Sequence, residues 1–240
     1  MRIFKCILVL FAFSLSNAEA NGIIRITYSC LLRRMEEIPR PFQRVGILEI
    51  CNDTSIYGEE LALQRKEIDY IPMDNVCKDF KNQKMFFRGK IGFEKVATSE
   101  PVPDFQWELL EGDSIVCDYH CQKARTTFRG RTWVVWYSLD LPYSDGPWKL
   151  SGLPGLILKA TDMKGDFSFL AYKIEKEQEK KNSFSAKGMA MMSPQKFTQK
   201  FLDYYDEMNH REYNITIGGK PYKPEPRTPC LMEYFDDIKR

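Results

Sequence analysis

Histidine is scarce in this sequence: His120 and His210 are the two among 240 residues. Nucleophilic catalysis and metal ligation use imidazole more often than most side chains, so its scarcity argues against both kinds of site. His120 adjoins Cys121, but neighbours on a strand face opposite ways and make no catalytic dyad. The chain also lacks a phosphate-cradling glycine loop and a zinc-binding His-Glu helix motif. We therefore predict that the protein is not an enzyme and has no catalytic residue, cofactor or metal site.

The sequence also lacks an excess of charge of one sign and a long apolar run. The 35 basic and 33 acidic residues give a net charge of +2, which offers no strong attraction to nucleic acid. No apolar run reaches the roughly 20 residues that a membrane-spanning helix needs. We predict neither a nucleic-acid partner nor an integral membrane protein.

The first twenty residues are typical of a secretory signal peptide. Arg2 and Lys5 provide positive charge, and Cys6–Leu15 is a short apolar core. The small-residue site Ala-Glu-Ala at 18–20 follows, with cleavage predicted after Ala20. Residues 21–240 are then predicted to form a single exported domain.

Six of the seven cysteines lie beyond the predicted signal peptide. An even number of cysteines in an exported chain indicates disulfides, up to three in this case. The six candidates for disulfides or thiols are Cys30, Cys51, Cys77, Cys117, Cys121 and Cys230.

The segment CDYHC, Cys117 to Cys121, supports an alternative function as a thiol-redox or soft-metal protein, since such side chains ligate zinc or copper. On a regular strand Cys117 and Cys121 would lie about 13 Å apart, and His120 would face the opposite side. A disulfide needs Cα atoms within about 7 Å, so this pair can bond only across a bulge or a turn.

Aromatic and β-branched runs broken by glycine and proline predict strands over most of the chain. From Asp104 onward, five such runs follow one another with short connections, which indicates an antiparallel meander because parallel strands need longer crossovers. Residues 194–210 place apolar side chains at helical spacing, with Ser193 as the cap and Pro194 at the first position. The predicted fold class is α+β, mainly β: a curved antiparallel sheet or half-barrel with a C-terminal helix packed against it.

The segment KLSGLPGLILKATD, residues 149–162, contains a turn marked by Gly152, Pro154 and Gly155. Proline fixes its own φ and disfavours helix at the residue before it. We predict a type II turn over residues 153–156, with Gly155 supplying the positive φ and a core strand following.

This segment, with the upstream stretch CQKARTTFRGRTWVVWYSLDLPYSDGPW, resembles the GLPGLI family of exported proteins from Gram-negative bacteria. The resemblance covers about residues 104 to 175 most closely. It implies a periplasmic envelope protein without an established activity. The GLPGLI family is in turn similar to the lipoprotein-carrier class of half-barrels, in which a curved sheet wraps a helix and an apolar groove.

A half-barrel has a concave face that either packs its own helix or receives an apolar ligand. Trp133, Trp136 and Trp148 are the residues predicted to line such a groove, although aromatic side chains dominate cores as well as sites. The predicted function is a non-enzymatic protein that binds an apolar ligand or an envelope or outer-membrane protein partner.

Overall fold

The structure is a computed structural model that describes residues 22–32, 42–59, 75–178 and 184–211, together with 216–217, 220–221, 229, 231–236 and 238. The predicted signal peptide and Cys230 lie outside these residues. Within them, no helix is both long and apolar enough to cross a membrane.

Strands dominate the described chain. In the first half they are β1 (Ile23–Leu32), β2 (Phe42–Cys51), β3 (Thr54–Glu59), β4 (Asn75–Asp79), β5 (Lys84–Ile91) and β6 (Glu94–Pro101). The second half adds β7 (Glu108–Val116), β8 (Tyr119–Phe128), β9 (Arg131–Ser138), β10 (Leu156–Asp162), β11 (Phe167–Glu177) and β12 (Ala190–Met192). Helix α1 (Pro194–His210) precedes a small hairpin of β13 (Thr216–Ile217) and β14 (Lys220–Pro221).

Strands β1 to β12 form one 12-stranded sheet in the order β12-β6-β5-β4-β3-β2-β1-β11-β10-β9-β8-β7. Neighbouring strands in it are antiparallel, except that β12 runs parallel to β6. The predicted meander is the part of the sheet from β7 to β11, in which each strand pairs with the next one in the chain. Its last strand, β11, also pairs with β1. The mainly β class and the antiparallel sheet are therefore confirmed.

Alternating side chains give β9, in the meander, a buried and an open face. In β9, Arg131, Trp133, Val135 and Tyr137 are buried, while the residues between them are partly exposed. This period of two is the expected result of a pleated strand with one face on the core. The turn that enters β9 has positive φ at Arg129 (44°) and Gly130 (74°), as two-residue hairpin turns require.

The sheet is strongly curved but does not close. Arg129, in the turn between β8 and β9, hydrogen-bonds and ion-pairs with Glu100 of β6. Eight strand spacings separate β6 from β9 in the sheet order, which is about 38 Å if the sheet were flat. Direct contact across that span shows that the two ends of the sheet approach each other. The predicted half-barrel is therefore confirmed.

The connection between β9 and β10 fills the concave face. Four of its apolar side chains are buried there: Leu141, Trp148, Leu150 and Leu153. The Trp148 ring lies 5.6 Å from that of Trp133, which stacks at 6.0 Å on Phe169 of β11. The interior is thus packed by the protein's own loop, as expected from close-packed cores.

Gly152 and Gly155 have different roles from those predicted for the turn before β10. Positive φ occurs at Gly152 (92°), and Gly155 does not have it, so the predicted type II turn with Gly155 at its third position is wrong. Gly155 is needed for close approach: a Cβ there would lie 2.1 Å from the carbonyl oxygen of Ser138. This requirement comes from the backbone at the end of β9, and the residues next to Gly155 in sequence give no sign of it.

The predicted helix is confirmed as α1, with the predicted bounds. The Ser193 Oγ accepts a hydrogen bond of 3.2 Å from the backbone amide of Lys196, and Pro194 occupies the first turn. Phe197 then packs its ring 5.1 Å from that of Phe87 on β5. These contacts hold α1 against the β5–β6 end of the sheet.

The predicted disulfides are wrong for the described cysteines. No bridge joins any two of Cys30, Cys51, Cys77, Cys117 and Cys121. The Cys30 sulfur instead lies 3.2 Å from the Tyr57 hydroxyl. Cys117 occupies the β7–β8 turn with a φ of 50°, so it does not continue the strand that carries Cys121.

Candidate functional site

A cleft lies beside the β5–β6 end of the sheet, close to the β8–β9 turn that contacts β6, and we call it the seam cleft. It lies between β5 and β6, helix α1 and the chain near residues 231–233, and it encloses about 80 Å³. Its aromatic lining comes from Phe87, Trp148, Phe197 and Phe201. Polar side chains also line it: Lys90, Thr98, Lys149, Thr198 and Glu233. An apolar cleft with a few converging polar groups is typical of a ligand site.

Secondary structure places each aromatic side chain of the cleft. Phe197 and Phe201 are four residues apart on α1, so they share one helix face, and their rings lie 6.1 Å apart. Phe87 points inward from β5. Trp148 reaches the cleft from the loop between β9 and β10.

One side of the cleft is a cluster of two cations and two carboxylates, which we call the four-charge cluster. Lys149 Nζ lies 2.7 Å from Glu100 Oε1 and 2.5 Å from Glu233 Oε1. Arg129 contacts Glu100 and lies 2.9 Å from Glu233 Oε2. Each cation thus contacts both carboxylates, and the formal charges cancel. This neutrality makes the burial of four charges tolerable, because an unpaired buried charge is very costly.

The cluster shifts the protonation of its members. Burial acts to raise the pKa of the Glu100 carboxyl, but the ion contacts with Lys149 and Arg129 outweigh it and hold this pKa below its usual value. Burial likewise acts to lower the pKa of Arg129, and contacts with Glu233 and Glu100 raise it instead. Both groups therefore stay charged at neutral pH.

Trp148 has a strained backbone. Its φ is 53°, a left-handed conformation that is rare for a bulky side chain. The conformation directs the Trp148 ring into the interior, where it is 2% exposed, while Lys149 reaches the four-charge cluster. Such strain persists only where surrounding contacts over-determine it, and it is concentrated at functional sites.

A segment near the C-terminus covers the cleft, and we call residues Leu231–Asp236 the C-terminal strap. The Tyr234 amide donates a 2.8 Å hydrogen bond to the Arg129 carbonyl oxygen. Arg131 Nε donates to the Leu231 carbonyl oxygen at 2.7 Å, and Arg131 Nη2 donates to the Tyr234 hydroxyl at 3.1 Å. The strap is thereby fixed to the start of β9.

A second buried ion pair holds the β9–β10 connection inside the sheet. Lys78 of β4 pairs with Asp145, and its ammonium donates to the carbonyl oxygens of Gly146 (2.8 Å) and Leu150 (3.2 Å). Burial lowers the pKa of Lys78, although Asp145 opposes that shift. These contacts are internal, and we assign them to positioning the loop that carries Trp148.

The three predicted groove tryptophans do not lie together. Trp133 and Trp148 are both buried on the concave face, and Trp148 lines the seam cleft. Trp136 lies on the outer face, where its ring is 5.5 Å from the Lys123 ammonium and 4.3 Å from that of Lys159. A ligand role for these tryptophans stays a prediction.

The CDYHC segment has few properties of a redox or metal site. Burial raises the pKa of the Cys121 thiol to about 11 and also raises that of Cys117, so both thiols stay protonated at neutral pH. His120 is exposed, on the face opposite Cys121. Among the described residues, no group of three or more His, Cys, Asp or Glu side chains could hold a metal ion.

Sequence reasoning missed the four-charge cluster altogether. Its members are far apart in the chain, in β6, the β8–β9 turn, the β9–β10 loop and the strap. Each charged residue alone is typical of an exposed surface position. The one local signal is the pair Trp148-Lys149, in which a core aromatic adjoins a charge within a predicted loop.

Comparison with known proteins identifies a family whose model matches this chain. The family model described as "N-glycanase peptide, N-terminal domain" matches residues 62–201, more than half of the chain. The match includes Glu100, Arg129 and Lys149 but not the strap. No curated protein matches this chain.

Two crystal structures of PNGF-II share the fold. The structure in space group C2 has a TM-score of 0.56 and 19% identity, and covers 77% of this chain. The structure in space group P21 has a TM-score of 0.57 and 18% identity, with the same coverage of this chain. The chain spans about a third of the length of those proteins, 33% and 34%.

These findings correct two predictions. Membership of the GLPGLI family is wrong, since the matching family model is that of an N-glycanase domain. The prediction that the protein is not an enzyme is wrong for the same reason, since the matching family is related to an enzyme. Histidine scarcity was a poor guide, because carboxylates also serve as acid and base in hydrolysis.

Proposed function

Because the chain belongs to the family of N-glycanase peptide N-terminal domains, we propose that it serves an exported N-glycanase as a substrate-recognition domain. Its task is to hold a glycoprotein at the seam cleft while the N-linked glycan is removed. The family match carries this proposal, and the fold shared with PNGF-II supports it. The signal-like residues 1–20 support a location outside the cytoplasm.

The lining of the seam cleft suits a saccharide. The C–H faces of a sugar ring pack on aromatic rings, which Phe87, Trp148 and Phe197 supply at this site. Sugar hydroxyl and acetamido groups need hydrogen-bonding partners, which the hydroxyls of Thr98 and Thr198 provide. Mixed aromatic and polar linings of this kind give a site both affinity and orientation.

The size of the cleft indicates which part of a glycan enters it. Its 80 Å³ is roughly half of the 150 Å³ or so that accommodates a benzene molecule in a protein core. A group of three or four heavy atoms fits, such as the acetamido group of N-acetylglucosamine. The sugar ring would then lie at the open mouth of the cleft, against α1.

Calorimetric titration tests the proposal. A peptide without acidic or aromatic residues, carrying an asparagine-linked chitobiose, should bind the full chain about tenfold more tightly than the same peptide without the sugar, a difference of about 1.4 kcal/mol. The Phe197→Ala variant should lose that difference. Phe93→Ala is the matched control, because Phe93 is fully exposed in the β5–β6 turn and should leave binding unchanged. Equal affinity of the wild-type chain for the two peptides would refute the proposal.

A further inference from the structure

The C-terminal strap makes the contacts of a bound peptide. Two of its hydrogen bonds use main-chain groups of the strap: the Tyr234 amide donates to the Arg129 carbonyl oxygen, and the Leu231 carbonyl oxygen accepts from Arg131. Any extended peptide could reproduce these two bonds. Specificity therefore rests on the side chains, as in other sites that bind extended segments.

The carboxylate of Glu233 satisfies a charge requirement of the cleft. Without it, Arg129 and Lys149 face Glu100 alone, and one positive charge remains unbalanced in a buried position. Glu233 contacts both cations, at 2.9 Å and 2.5 Å. The cleft thus selects a segment with a carboxylate at this point, because an unpaired buried charge is unfavourable.

Two aromatic positions follow the carboxylate. The Tyr234 ring lies 5.1 Å from the Arg131 guanidinium, and the Phe235 ring lies 4.7 Å from that of Arg129. These distances are typical of cation–π contacts. Gly130 makes room for the first ring, since a Cβ at Gly130 would lie 2.9 Å from that of Tyr234.

The strap remains accessible from solvent. Met232 is buried, but Leu231, Glu233, Tyr234 and Phe235 are only partly buried, and Asp236 is exposed. Met232 packs against the hydrophobic core, and the rest of the strap is held by polar contacts and ring faces. Another segment of the same pattern, with an apolar residue before the carboxylate, can reproduce these contacts and exchange with the strap by local opening.

We propose that the surface formed by Arg129, Arg131 and Lys149 at the edge of the seam cleft binds an acidic-aromatic peptide segment, a carboxylate residue followed by two aromatic residues, and that the strap is the internal occupant of that surface. This inference rests on the proposed function in one respect: the peptide is the protein part of the glycoprotein substrate. The strap then regulates the site, because it competes with the substrate for the same contacts. The apparent affinity for an external peptide is proportional to the fraction of molecules in which the strap is displaced, so it rises as that fraction rises.

Fluorescence anisotropy with a labelled peptide of the strap sequence, LMEYFDDI, tests the inference on the full chain. The double variant Glu233→Lys, Tyr234→Ala should hold its strap poorly and bind the peptide about tenfold or more tightly than the wild type. Asp236→Asn is the matched control, since it changes a strap charge outside the cleft and should bind as the wild type does. A peptide with lysine and alanine at the Glu and Tyr positions should not bind.

The outcomes test the strap inference separately from the proposed recognition of a glycoprotein. If the double variant melts early, Glu233→Gln replaces it and should raise peptide affinity in the same direction. Peptide affinity that is unchanged in a folded strap variant, or that is equal for the altered peptide, overturns the inference. Because this peptide carries no sugar and the glycopeptide above carries no acidic or aromatic residue, either claim can fail while the other stands.

Discussion

Lys149 connects the fold and the candidate site more directly than any neighbouring residue. Its ammonium contacts Glu100 and Glu233, and it directly follows the strained Trp148. Its side chain is 5% exposed, so little water can replace a lost carboxylate contact. The residue therefore couples the sheet end at β6 to the strap through the β9–β10 loop.

Replacing Lys149 should destabilise the protein. Removing one partner of a buried ion cluster costs about 3 to 5 kcal/mol, because an uncompensated charge remains. We expect Lys149→Met to lower the free energy of unfolding by this order in urea titrations. Lys149→Met with Glu100→Gln should recover part of the loss. Lys187→Met, at an exposed position, is the control. Full stability in Lys149→Met would show that the cluster contributes nothing to the fold.

Glu100 should make stability depend on acid pH. Its pKa is lower in the folded protein than in the unfolded chain, where the pKa of a glutamate is about 4.3. Its contribution is therefore fully present above that value and is lost as pH falls through the folded pKa. Melting temperatures between pH 7 and pH 3 should decline less steeply for Glu100→Gln than for the wild type. Parallel curves would mean that other carboxylates control the acid transition.

Gly155 should not tolerate alanine. The new Cβ would lie 2.1 Å from the Ser138 carbonyl oxygen, so β9 and β10 must separate at their junction. Overpacking of this kind costs roughly 1 to 3 kcal/mol. Gly22→Ala is the control, because no atom lies within 4 Å of its Cβ position. Thermal melting of both variants checks this, and equal melting temperatures would contradict the geometry.

At the scale of elements, the sequence pattern predicts those strands and helices whose formation depends on neighbouring residues. Strands β9 to β11 and helix α1 follow from alternation, turn residues and capping, which are properties of neighbouring residues. The turn between β7 and β8 was not predicted, because it falls at Cys117 and Asp118, inside a run that the pattern predicts as one strand. The pairing of β1 with β11 and the parallel pairing of β12 with β6 join segments that are distant in the chain. Nothing near Ile23 in sequence specifies that its partner is Glu177. The seam cleft depends on these distant pairings, which is why the sequence predicted a concave face but not this site.

The cap of α1 should control the wall of the seam cleft. Ser193→Ala removes the side-chain acceptor for the Lys196 amide, and such caps contribute about 1 kcal/mol. We expect faster amide hydrogen exchange in the first turn of α1, next to Phe197. Ser185→Ala, in the preceding loop, should leave that exchange unchanged. Equal exchange in both variants would indicate that ring packing alone fixes the helix start.

At the scale of the whole molecule, the open seam distinguishes this half-barrel from a closed one. Closed barrels leave no sheet edge, whereas this sheet brings β6 near the β8–β9 turn and bridges the gap with side chains. The site occupies the gap, with the helix on one side and the strap across it. The sequence placed Trp133 and Trp148 on the concave face, where they are buried, but the charges that complete the site lie in segments that no motif connects.

Whether the seam cleft binds a glycoprotein can be measured by hydrogen exchange of the full chain with and without saturating chitobiosyl glycopeptide. We expect slower exchange in the first turns of α1, in β6 around Thr98 and in the loop at Trp148 and Lys149, with no change on the outer face around Trp136. Protection confined to the outer face, or no protection at any segment under saturating ligand, would contradict the assignment of the seam cleft as the site that recognises the glycoprotein.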